Sequence, residues 1–122
     1  MQCINCSLDE DYVTDVLEEV LSIKSAFFPL GRCLRLLADD LKAICEAYPD
    51  ESAADQALND VLLLWLNQKY KVDKFGPPTW RMLVEAVDKK TGGNNHELAK
   101  QIASNHAAGI IYVLLHRLAA QL

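Results

Sequence analysis

Two stretches decide the fold of this chain: Leu58-Asn59-Asp60-Val61-Leu62-Leu63-Leu64-Trp65-Leu66 and Pro78-Thr79-Trp80-Arg81-Met82-Leu83-Val84-Glu85-Ala86-Val87. In the first, Leu58, Leu62, Trp65 and Leu66 recur at the spacing of one face of an α-helix. Val61–Leu66 is an unbroken apolar run that could, taken alone, be a buried strand. The Ala- and Leu-rich lead-in from Ala54 and the length to Gln68 favour a helix. In the second stretch, Pro77-Pro78 stops whatever precedes it and suits the first turn of a new helix, whose stripe is Trp80, Leu83, Val84 and Val87. Aromatics at helical spacing are expected to anchor a core rather than stack on a ligand, so Trp65 and Trp80 are read as anchors.

The same period extends in both directions. Ser7 with Glu10 three residues on has the form of a capping box. After it Val13, Val16, Leu17, Val20 and Ile23 form one stripe. Pro29-Leu30-Gly31 should bend or break that helix near Phe28. Leu37, Leu41, Ile44 and Tyr48 form the next stripe, ended by Pro49-Asp50, and Ser52 with Asp55 can start another short helix. Gly92-Gly93 forms a loop, and Asn94 with Glu97 makes another helix start, continued by Leu98, Ala99, Ile102 and Ala103. The expectation is an all-α bundle of six short helices with a seventh at the end. Residues 1–7 are read as a tail, 8–106 as the domain, and Ala107–Leu122 as an apolar C-terminal helix.

Bulk properties narrow the function classes. With 122 residues there is room for one domain and one core. The net charge of −5 argues against nucleic acid as the main partner, because duplex binding needs an excess of Lys and Arg aimed at phosphates. No apolar run reaches the roughly 18–20 residues needed to span a bilayer; Ala107–Leu122 comes closest and carries His116 and Arg117, so no membrane partner is expected. The start lacks a charged head followed by an apolar signal core, so Cys3, Cys6, Cys33 and Cys45 are expected as free thiols in a reducing, cytoplasmic compartment. Cys3 and Cys6 have the spacing of half a zinc site, but Cys33 and Cys45 lie singly inside helical patterns, so no metal is expected.

The order of these residues is similar to that of the death domains. Phe27-Phe28-Pro29-Leu30-Gly31-Arg32-Cys33-Leu34-Arg35-Leu36 resembles the family's first-helix pattern of an aromatic, then Leu-Gly/Ala-Arg, then Leu-Gly-Leu. Leu58–Leu66 resembles the fourth-helix motif, a hydrophobic run ending Trp-Leu. Pro78–Val87 resembles the fifth-helix motif, Thr-Trp-x-x-Leu-x-x-Ala-Leu, and Gly92-Gly93-Asn94-Asn95 with Leu98-Ala99 and Ile102-Ala103 is similar to the start of the sixth helix in invertebrate death domains. The likeness covers about Val13 to His106. It implies a six-helix antiparallel Greek-key bundle that assembles with other death domains, itself included, in intracellular signalling of the apoptotic or innate-immune type, without catalysis or cofactor. Three positions depart from the pattern: Phe27 replaces the usual first-helix Trp, Arg35 stands where Gly is common, and Leu63 and Leu64 occupy positions that are usually charged or polar.

Expected core anchors are Phe27, Leu30, Leu34, Leu41, Ile44, Leu58, Leu62, Trp65, Trp80, Leu83, Val84, Leu98 and Ile102. His96, His106 and His116 show no metal-type spacing and are read as solvated surface residues. Gly92-Gly93 lacks the following Lys-Ser/Thr of a phosphate cradle. No Ser or Cys has a His and carboxylate at a recognisable motif spacing, so no enzyme activity is expected.

Charge separation is the better functional clue. Asp39, Asp40, Glu46, Asp50, Glu51 and Asp55 cluster on and after the second helix of the family pattern, while Lys69, Lys71, Lys74, Arg81, Lys89 and Lys90 are basic positions further on. An acidic face of one copy meeting a basic face of another would build head-to-tail oligomers and orient their encounter. Reversing Asp39 and Asp40 to Lys is expected to abolish association and leave the fold intact. Leu63 and Leu64 are expected to point partly outward, covered either by Ala107–Leu122 of the same chain or by another chain. The competing readings are a helical nucleic-acid-binding domain and a non-signalling helical scaffold that dimerises through its apolar tail.

Overall fold

The computed structural model describes residues 7–67 and 77–106. Its α-helices are α1 (Val13–Val20), α2 (Phe27–Cys33), α3 (Ala38–Ala47), α4 (Ala54–Asn67), α5 (Trp80–Asp88) and α6 (His96–His106). Short 3-10 segments at Glu10–Tyr12, Leu21–Ala26 and Glu51–Ala53 lead into or join them. Because Leu21–Ala26 fuses α1 to α2, the helical turns form five continuous stretches among the described residues. Those residues contain no strand; Ser7 and Thr79 make a lone antiparallel bridge. The all-α expectation holds, and Val61–Leu66 lies within α4.

The break in the first stretch comes earlier than Pro29 suggested. Ile23, at φ −111° and ψ 28°, carries the kink. Pro29 falls in the first turn of α2, where its missing N–H would have no helical acceptor anyway. Helix starts also shift from the expected residues. Asp9, not Ser7, caps the first turn, its carboxylate accepting from the Asp11 N–H at 3.0 Å. Asp50, not Ser52, accepts from the Ser52 N–H at 3.1 Å. Thr79 caps α5 by accepting from the Met82 N–H at 3.2 Å, and Asn95, not Asn94, caps α6 by accepting from Leu98 N–H at 3.0 Å. A side-chain oxygen can satisfy an amide two or three residues on from several neighbouring positions, so composition finds a cap to within a residue or two.

α4 lies at the centre, packed against α1, the Leu21–Ala26 segment, α2 and α3, while α5 and α6 pair with each other and α2 meets α5. The buried side chains form one cluster. Of the expected anchors, Leu30, Leu34, Leu41, Ile44, Leu58, Leu62, Trp65, Trp80, Leu83 and Ile102 are buried. Phe27, Val84 and Leu98 are half-buried, packed against that cluster from its margin. Leu37 is 42% exposed because it sits at the N-cap of α3, ahead of the stripe it was expected to begin. Leu8 is buried and donates its N–H to the Pro78 carbonyl at 2.8 Å, so the chain just after the presumed tail is tied to the start of α5. No described helix is long and apolar enough to cross a membrane.

Two corners set how closely the helices approach. At the end of α2, Leu36 N–H reaches the Gly31 carbonyl and Arg35 N–H the Arg32 carbonyl, both at 3.0 Å. That is the hydrogen-bond pattern of a Schellman termination, with Arg35 as its left-handed residue at φ 72°. The Arg32 guanidinium donates to the Leu36 carbonyl at 2.8 Å and clasps the corner. Gly31 lets α3 and α4 close on α2: a Cβ there would lie 2.6 Å from Leu41 Cδ2 and 3.2 Å from Val61 Cγ1. In the loop after α5, Gly93 N–H returns to the Ala86 carbonyl and Asn95 N–H to that of Val87, at 3.0 and 2.9 Å.

Candidate interaction surfaces

The acidic residues are not equivalent. Asp39 and Asp40 lie in the first turn of α3, where no side chain caps the helix and their charge offsets its exposed N–H groups. Asp39 is exposed; Asp40 is half-buried, and its Oδ2 is enclosed without a hydrogen-bond partner among the described residues. Asp50 is exposed but holds the Ser52 amide. Glu46 and Glu51 are exposed. The acidic set therefore divides into helix-terminal residues with a structural task and residues that simply face solvent.

The basic set is only partly described. Lys69, Lys71 and Lys74 lie outside the described residues. Arg81 is half-buried in the first turn of α5. Lys89 is exposed at the C-terminal cap of α5, where a cation complements the free carbonyls. Lys89 shares a cleft of about 150 Å³ with Arg35, between the corner after α2 and the face of α5. Cys33, Leu34, Met82 and Ala86 contribute to its lining and Glu85 adds a carboxylate. The Cys33 sulfur lies 3.7 Å from Thr91 Oγ1. In the sequence Arg35 stands out as a turn residue alone. Its departure from glycine was the available signal, and only folding brings it beside Lys89.

The histidines depart from the solvated reading. His96 Nδ1 lies 2.7 Å from Asp88 Oδ1 across the loop between α5 and α6, both side chains over a third exposed. His106, with a 17% exposed side chain, stacks on the Trp80 ring at 3.6 Å between centroids and 10° between planes. Its Nε2 lies 3.0 Å from Glu19 Oε2, while Asn105 Nδ2 donates to Glu19 Oε1 at 3.2 Å. One carboxylate on α1 thus holds two consecutive side chains at the end of α6. His106 falls on the α6 stripe, four residues after Ile102, but spacing along one helix does not show that Trp80 and Glu19 wait there; His116 lies outside the described residues. Both His96 and His106 thus lie within hydrogen-bond distance of a carboxylate.

Tyr48, after α3, is linked to α4: the hydrogen bond to the Asp60 side chain, reinforced by its charge and by burial, raises the phenol above its ordinary value of 10.0. Cys33 and Cys45 are half-buried free thiols, and no three His, Cys, Asp or Glu side chains converge as metal ligands among the described residues. Cys3 and Cys6 lie outside them.

Leu63 and Leu64 are both half-buried, in keeping with side chains that point partly outward, and Leu64 also packs against the core. The large hydrophobics exposed among the described residues are instead Leu21 and Leu37. No family model, curated protein or solved structure matches the chain.

Proposed function

We propose that this chain is a protein–protein interaction module of the death-fold kind, a six-helix Greek-key bundle that assembles with its own kind. The setting implied by the resemblance is intracellular signalling. What carries the reading is where the family-like segments lie. Phe27–Leu36, the first-helix pattern, lies on α2 and its left-handed corner with α1 before it, Trp65 lies in the core near the end of α4, and Trp80 opens α5. Solvent-facing charge supports the mode of assembly. Asp39, Glu46 and Glu51 are exposed acids and Lys89 an exposed base, and none is paired to another described residue. Opposed faces of this kind favour head-to-tail contacts between copies.

The test is light scattering behind size-exclusion chromatography, over a range of protein and salt concentrations. Mass that rises with protein and falls with salt is the expected result. The variant of choice changes Glu46 and Glu51 to Lys. Asp39 and Asp40 are poor targets, because cations in the first turn of α3 would cost about 0.3–1 kcal/mol each through the helix dipole and confuse folding with binding. A protein that stays monomeric throughout, or a Glu46/Glu51 reversal that leaves assembly unchanged, would remove the homotypic reading. Salt-dependent retention of duplex DNA would favour the nucleic-acid alternative.

A further inference from the structure

We propose that residues 107–122 of the same chain cover the outer face of the first helical stretch around Leu17 and Leu21. Three observations lead there. Leu21, 41% exposed, follows α1 four residues after half-buried Leu17, and exposed Asp15 and Glu18 lie on the same stretch. This outer surface therefore combines an unpartnered leucine with acidic side chains. The described chain ends at His106, whose side chain is fastened to Glu19, two residues from both Leu17 and Leu21. Everything beyond His106 must start from beside α1. The composition of that remainder is complementary: 107–122 is apolar almost throughout, has no Asp or Glu, and bears Arg117 as its one Lys or Arg.

Reach is no obstacle. Sixteen residues extend about 24 Å even when wound as a helix, against a helix diameter of about 10–12 Å. An apolar segment with one cation can cross to the far flank of α1, set its leucines and isoleucines against Leu17 and Leu21, and bring Arg117 toward Glu18 or Asp15. Leu63 and Leu64 offer less, since Leu64 is already packed on the core and Leu63 is half-buried. A second copy could also cover Leu21. The chain's own tail has the advantage, because the clasp at Glu19 starts it beside α1 at high effective concentration.

The experiment is amide hydrogen exchange on the intact chain, at concentrations where light scattering shows a monomer. Residues 107–122 are expected to be protected. Leu21→Asp should lower that protection by about tenfold or more while α3 to α6 keep theirs, because one leucine's burial is lost at an otherwise solvent-facing position. Arg117→Glu, which leaves the described residues untouched, should lower it by a smaller factor. Three results would each overturn the proposal: a tail that exchanges freely in the monomer, a protected tail indifferent to both substitutions, or protection that appears only as the chain dimerises. Global loss of protection in Leu21→Asp would shift the decision to Arg117→Glu, whose null result also counts against the proposal.

Discussion

The corner after α2 and the loop after α5 solve the same problem, turning the chain sharply while keeping helix ends hydrogen-bonded, with opposite choices of residue. After α2 the left-handed position is filled by an arginine, Arg35 at φ 72°. After α5 two glycines are present, yet the left-handed residue is Asn94 at φ 51°. Gly92 is needed for space instead: a Cβ there would sit 2.2 Å from the Ala86 carbonyl oxygen and 3.0 Å from Cys33 Sγ. A glycine in a turn can therefore mark close approach, and a non-glycine can carry the unusual dihedral at a cost. The two corners also touch, through Cys33, Thr91 and the cleft that joins Arg35 to Lys89.

Five substitutions, four at or beside these corners and one on α4, can test that contrast. Gly92→Ala should have the largest effect, about 3 kcal/mol or more, because the clash is with backbone that cannot rotate away. Denaturant unfolding would show it, and a near-neutral result would mean that the loop does not sit against the end of α5. Gly31→Ala should cost less, about 1–3 kcal/mol, since the nearest atom is a Leu41 methyl that can change rotamer. The order of these two unfolding midpoints is the sharper measurement.

Arg35→Gly should act in the other direction. Relief of the left-handed backbone is expected to stabilise by about 1 kcal/mol in thermal melts, while Asn94→Gly changes little, because asparagine tolerates this region. A destabilised Arg35→Gly protein would show that the arginine side chain contributes more than its backbone costs. The smallest effect concerns Tyr48. Its pKa is raised in the folded chain, so the bond to Asp60 contributes fully below the ordinary tyrosine range and is lost as pH rises through the folded value. Asp60→Asn should move the tyrosinate absorbance transition of Tyr48 downward; an unchanged titration would remove the link.

Much of the fold was legible in the residues, because burial of an apolar stripe is a local periodic demand. Leu58, Leu62 and Trp65 had to share a face, as did Trp80, Leu83 and Val87, and all are buried. Less of the candidate surface was legible. Charge counts grouped Asp39 with Glu46, although one stabilises a helix end and the other faces solvent. Helical spacing placed Leu63 and Leu64 partly outward, and both are half-buried, but it gave no sign that Leu21 is the more exposed leucine.

By itself the sequence determined an all-helical chain, the inward stripes and the two tryptophan anchors, since these follow from spacing along one helix. Tertiary structure decided what depends on meeting a distant segment. It moved the kink to Ile23, gave Arg35 its left-handed corner and made Gly92 a matter of clearance. It also drew His106 out of solvent onto Trp80 and Glu19. No periodicity encodes such a meeting, because the energy that fixes it belongs to pairs of residues far apart in the chain.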